Sequence, residues 1–173
     1  MTTNETLTIL ASETIRQFKD AGMKIATAES CTGGLISGYL TAIAGSSAVV
    51  DRGYVTYSNE AKIELLGVDA YKIESEGAVS AATASQMAVG ALERSNAQAS
   101  VAVTGIAGPG GGTEEKPVGL VFIAVATHDS PGAFVEEFHF GDIGRDMVRN
   151  ETVSAALEML LGYAIDDEID NQN

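Results

Sequence analysis

The sequence predicts an α/β protein built on a mixed sheet with helices on both faces. Three observations carry this. Short runs rich in apolar and β-branched residues alternate with segments whose apolar residues recur at helical spacing. Glycines and small polar residues stand at nearly every change from one pattern to the other. The last two extended runs are separated only by a turn sequence, so an antiparallel hairpin closes an otherwise helix-separated series.

In order, Leu7, Leu10, Thr14 and Phe18 form a helical stripe, with Asn4 or Thr6 placed to cap it and Gly22 to end it. Lys24 to Thr27 reads as a short strand. It leads through the turn Ala28-Glu29-Ser30-Cys31-Thr32-Gly33-Gly34 into a helix from Leu35 to about Ala44, broken by Gly45-Ser46-Ser47. Ala48 to Val50 and Gly53 to Tyr57 read as extended segments around Asp51-Arg52, and Ser58-Asn59 opens a helix through Lys62, Leu65 and Leu66. Ser80 caps a helix from Ala81 to Leu92. Ser100 to Val103 is an apolar strand that enters the glycine-rich loop from Gly105 to Gly112. Val118 to Ala126 and Phe134 to Phe140 are the hairpin strands, joined through His128-Asp129-Ser130-Pro131-Gly132. From Ile143 onward, Val153, Ala156, Leu157, Leu160 and Leu161 mark a final helix, and residues 166–173 read as an acidic, flexible tail. Residues 1–165 thus form one domain, without internal repeat or linker.

Composition sets the limits of function. The chain has 173 residues, 45% of them hydrophobic and 20% charged, enough for one well-filled core. Its formal net charge is −14, and its 10 Lys and Arg residues form no run. Neither a nucleic-acid surface nor a membrane patch is therefore expected. Cys31 is the single cysteine, which excludes an internal disulfide and a thiolate cluster and fits a reducing, cytoplasmic setting. The N-terminal residues lack a basic stretch followed by an apolar core, and no segment approaches the roughly 20 apolar residues of a membrane helix.

Chemistry concentrates at two glycine-rich places. Ser30 and Cys31 lie at a strand-to-helix turn, where backbone N–H groups around Thr32, Gly33 and Gly34 can hold an anion or an oxyanion. The same residues serve equally as a helix cap and a tight turn. The loop from Gly105 to Gly112 fits no dinucleotide fingerprint, and the Walker, Gly-x-Ser-x-Gly and Ser-x-x-Lys motifs are absent. With only His128 in a turn and His139 between phenylalanines, a serine nucleophile needs a base other than histidine. Lys62 can serve if burial lowers its pKa, with Tyr57 to relay the proton or hold the amine; by residue type alone the pair reads more readily as a solvated helix lysine and a tyrosine at the edge of the core. Arg145 and Arg149, one helical turn apart, form either an anion site or intrahelical pairs with Asp146 and Glu151. Glu29, Asp51, Asp142 and Glu114-Glu115 show no ligand spacing, so neither metal nor cofactor is expected.

Five segments resemble the CinA C-terminal domain family, in the family's order, across about Ile25 to Arg149. They are Ala28 to Gly34, Tyr57-Ser58-Asn59-Glu60-Ala61-Lys62, Gly77-Ala78-Val79-Ser80, Thr104 to Gly111, and Glu115-Lys116-Pro117-Val118-Gly119. The resemblance implies a three-layer α/β/α sandwich that forms homo-oligomers and works without a metal. It implies an amidohydrolase of pyridine nucleotide salvage, converting nicotinamide mononucleotide to nicotinate mononucleotide and ammonia. Ser30 is then the nucleophile, Lys62 the base and Tyr57 its helper, with Cys31, Thr32, Gly33 and Gly34 forming the oxyanion turn. Glu29, Asn59, Thr104, Gly105, Gly108, Gly110 and Gly111 fall to substrate binding, and Arg145 and Arg149 to the 5′-phosphate. Many relatives carry Gly-Asp-Arg directly before the last helix, whereas here Ile143 and Gly144 separate Asp142 from Arg145. Full-length relatives also carry an N-terminal domain resembling molybdopterin-binding proteins, for which this chain leaves no room. Two other readings remain open: Cys31 as the nucleophile, and a competence- or damage-associated adaptor that binds a nucleotide without chemistry.

Overall fold

The computed structural model describes the backbone of residues 2–170 and the side chains of residues 2–164. Five strands form one sheet in the order β2-β1-β3-β4-β5. They are β1 (Ile25–Glu29), β2 (Val50–Val55), β3 (Ala99–Gly105), β4 (Leu120–Thr127) and β5 (Ala133–His139). β1 runs parallel to both β2 and β3, with Glu29 beside Val55 on one side and Val103 on the other. β4 and β5 are antiparallel, so the sheet is mixed as the sequence predicts.

Helices α1 (Thr3–Asp20), α2 (Leu35–Thr41) and α6 (Arg145–Asp170) cover one face. Leu7, Phe18, Ile36, Leu40, Leu157 and Leu160 pack there against Val101, Val103 and Ile123. Helices α3 (Asn59–Leu66), α4 (Ala70–Glu76) and α5 (Ala81–Glu93) cover the other. Beside Leu120 and Phe122, that second face carries Ala28, Ala102, Ala124 and Ala126, so α5 can lie close to the sheet with its own Ala84, Ala88 and Ala91. Together these make the three-layer α/β/α sandwich.

Local chemistry explains most boundaries. α1 begins two residues earlier than a cap at Asn4 would place it and four earlier than one at Thr6. Thr2 is the cap, its hydroxyl accepting from the Glu5 amide while the Glu5 carboxylate accepts from the Thr2 amide. Ser58 and Ser80 cap α3 and α5, accepting from the amides of Ala61 and Thr83. α2 ends at Thr41 rather than Ala44, and Ser46–Ala48 forms a 3₁₀ turn before the single strand β2. α4, capped by Asp69, has no counterpart in the sequence reading. α6 runs to Asp170, past the start of the acidic stretch at Asp166, and residues 171–173 lie outside the described residues. No helix among the described residues is long and apolar enough to cross a membrane.

Candidate active site

The three parallel strands β2, β1 and β3 end at the same edge of the sheet, which is where ligands bind in open α/β folds. Ser30 follows the last residue of β1, Tyr57 lies two residues past β2, and Thr104 and Gly105 close β3. These strand ends and α3 enclose a cavity of 290 Å³. Its ionisable lining residues are Cys31, Tyr57, Lys62 and Arg145, so among the described residues no carboxylate and no histidine lines it. In a molecule with a net charge of −14, this is a local cationic site.

Lys62 is the centre of the arrangement. It sits in the first turn of α3 with only 1% of its surface exposed, and its Nζ lies 3.0 Å from Ser30 Oγ. The same nitrogen donates to the carbonyls of Thr56 at 2.8 Å and Tyr57 at 3.3 Å. Burial lowers the Lys62 pKa, against a smaller opposing pull from the Cys31 thiol. In the neutral amine, two N–H bonds satisfy the two carbonyls, and the lone pair is left facing Ser30. That is the geometry of a base held for one hydroxyl.

The turn that carries Ser30 is anchored at both ends. The Ser30 amide donates to Val103 of β3, and the Gly33 amide donates back to Ser30, closing a four-residue turn. Gly33 and Gly34 have φ of 62° and 102°, values that side chains disfavour. Cys31 and Thr32 are the two central residues of the turn, and their amides bear on the Cys31 sulfur, where they favour the thiolate. Burial, reinforced by the charge of Glu29, pushes the Cys31 thiol up to about 12. A thiol so held is a poor nucleophile at neutral pH.

The CinA C-terminal domain profile matches residues 7–164 of the chain. The chain belongs to the CinA C-terminal domain family. It is 45% identical over 158 residues to the Escherichia coli K12 protein named nicotinamide-nucleotide amidohydrolase PncC, covering 91% of this chain and 94% of that one. It is 51% identical over 148 residues to a CinA-like protein of Citrifermentans bemidjiense, which covers 85% of this chain. The chain spans about a third of that relative, and of several other curated relatives that it matches. The crystal structure of the competence/damage-inducible protein CihA from Agrobacterium tumefaciens superposes with a TM-score of 0.89 at 55% identity, over 91% of this chain and 94% of that one.

In this CinA C-terminal domain, Ser30, Cys31, Tyr57, Asn59, Lys62, Thr104, Gly105, Gly108, Gly110, Gly111 and Arg145 line the cavity together. Glu29, Thr32, Gly33, Gly34 and Arg149 stand outside that lining. Glu29 departs most from the substrate-binding role expected of it. Its carboxylate is wholly buried and accepts from the Thr32 hydroxyl and the amides of Gly34, Ile36 and Ser37. The amides of Gly33 and Gly34 are likewise engaged, by Ser30 and Glu29, so they are not available to an oxyanion. Tyr57 meets Lys62 through its backbone carbonyl, not its phenol; the phenol oxygen accepts from Arg145 at 3.0 Å. Arg145 also donates to the Gly108 carbonyl at 2.8 Å, bridging the two walls of the cavity.

Ala78, Val79, Ile106 and Ala107 complete the lining and were not singled out as site residues from the sequence. Lys116 holds the first two in place, donating to the carbonyls of Glu76 and Val79. The Thr104 hydroxyl donates to the Ala78 carbonyl at 2.7 Å. Gly105 is demanded by packing, since a Cβ there would lie 2.7 Å from the Leu120 carbonyl oxygen. A larger groove of 560 Å³ lies elsewhere, between β4, β5 and α6, with walls that include Phe134, Phe138 and Met159. It contains neither a cation nor the Ser30 turn.

Proposed function

We propose that this chain hydrolyses the carboxamide of nicotinamide mononucleotide to nicotinate mononucleotide and ammonia. The observation that carries the reading is the buried Lys62 amine, 3.0 Å from Ser30 Oγ and tied by two backbone carbonyls so that its free valence faces that hydroxyl. The likeness to the E. coli amidohydrolase, over 91% of this chain and 94% of that one, supports the substrate.

Neutral Lys62 takes the Ser30 proton as Oγ attacks the carboxamide carbon. The resulting oxyanion is held by the amides of Cys31 and Thr32, which otherwise face the weakly accepting Cys31 sulfur. Lys62 returns the proton to the amide nitrogen, the C–N bond breaks and ammonia leaves, with the nicotinoyl group as an ester on Ser30. Water then gives a proton to Lys62 and attacks the ester carbon. Collapse returns the proton to Ser30 and releases the carboxylate product. Val79, Ile106 and Ala107 supply an apolar wall for the ring, and Arg145 at the rim takes the 5′-phosphate.

Ammonia and nicotinate mononucleotide should both appear, in equal amounts, when wild-type protein is incubated with the mononucleotide. Saturable binding of the mononucleotide without either product would instead make the chain a nucleotide-binding adaptor.

A further inference from the structure

We propose that Glu29 and Arg149 are positioning residues that grip Thr32 from opposite sides and thereby set the turn carrying Ser30. The proposal rests on the reading of Ser30 as the nucleophile. Glu29 Oε2 accepts from the Thr32 hydroxyl at 2.6 Å and from the amides of Gly34 and Ile36, each at 3.0 Å. Its Oε1 accepts from the Ser37 amide at 2.8 Å. An internal carboxylate therefore fills the place at the start of α2 that a substrate anion would otherwise compete for. From the other side, Arg149 Nη2 donates to the Thr32 carbonyl at 2.9 Å.

Arg149 belongs to this turn rather than to the cavity. Arg145, one helical turn earlier, is exposed and lines the cavity, while Arg149 is half-buried and does not. Its Nε is buried without an acceptor, so among the described residues no carboxylate competes with Thr32 there. The negative group holds the Thr32 side chain and the positive group holds its carbonyl. Thr32 cannot rotate without breaking one of them. With Thr32 fixed, the closed turn keeps Ser30 Oγ against Lys62.

The test compares wild type with Arg149→Met, Arg149→Lys, Glu29→Gln, the Glu29→Gln/Arg149→Met pair and Arg145→Ala, each checked for folding by circular dichroism. Two readouts are used: ammonia release from nicotinamide mononucleotide, and the Ser30-dependent burst of p-nitrophenolate from p-nitrophenyl acetate, in which Oγ takes the acetyl group. Arg149→Met and Glu29→Gln should each lower kcat about tenfold to a hundredfold while KM stays within about twofold. Arg149→Lys should recover most of the loss, because an ammonium can still donate to the Thr32 carbonyl. The double variant should lose less than the product of the single losses, since both act on one residue.

A KM rise in Arg149→Met with kcat kept, present for the mononucleotide and absent for the riboside, would make Arg149 a phosphate ligand and overturn the proposal. Unchanged kcat in the folded variants would overturn it too. If Glu29→Gln does not fold, the Met and Lys variants at 149 carry the test. Should wild type release no ammonia yet show the burst, a burst that falls in the same variants upholds the clamp and removes only the substrate. A burst they leave unchanged, or no Ser30-dependent burst at all, removes the clamp.

Discussion

Lys62 is a residue whose surroundings were chosen against its charge. Burial lowers its pKa, so its neutral form fills at a lower pH than for an exposed lysine. Two consequences follow in sign. kcat/KM should rise with pH through one ionisation below lysine's usual value and fall away beneath it, as read from a pH–rate profile. Because the folded pKa lies below the unfolded one, stability should increase as pH rises between the two, as read from urea midpoints. At Cys31 the thiol is held neutral, so Cys31→Ala should keep kcat for ammonia release within about threefold. Loss of activity in that variant, with the fold intact, would restore Cys31 as a nucleophile.

At the scale of elements, the site exists because three parallel strands end together, and α3 then delivers Lys62 back over the end of β1. α3 can do this only by lying against α5, where a Cβ on Gly90 would run into the Leu66 carbonyl. Gly90→Ala should therefore destabilise the fold by about 1–3 kcal/mol, measured by urea unfolding. Much of this architecture is legible in sequence, since period-two and helical patterns alternate cleanly and Ser58 and Ser80 announce their helices. What is not legible depends on partners that carry no pattern. α4 is short, and its stretch shows too little apolar periodicity to be read. Glu29 is satisfied chiefly by backbone amides, which every residue possesses, so nothing in the sequence marks its carboxylate as internal. For α1 the signal was present: Thr2 and Glu5 have capping-box spacing, and Asn4 and Thr6 are equally good caps by type alone.

Over the whole molecule the net charge is −14, yet among the described residues no carboxylate lines the cavity, and Arg145 stands at its rim. Arg145→Ala should raise KM for nicotinamide mononucleotide at least about tenfold, and much less for the riboside, because a phosphate–arginine contact is lost in one and absent in the other. No cluster of three or more His, Cys, Asp or Glu residues among the described residues is arranged to hold a metal ion. Ammonia release should accordingly persist after dialysis against EDTA.

The most direct measurement is steady-state ammonia release from nicotinamide mononucleotide by wild type, Ser30→Ala and Lys62→Ala, with each variant shown to be folded. Ser30 and Lys62 acting as nucleophile and base predict turnover by wild type and a loss of at least about a thousandfold in kcat in both variants. Turnover retained by folded Ser30→Ala would contradict the account.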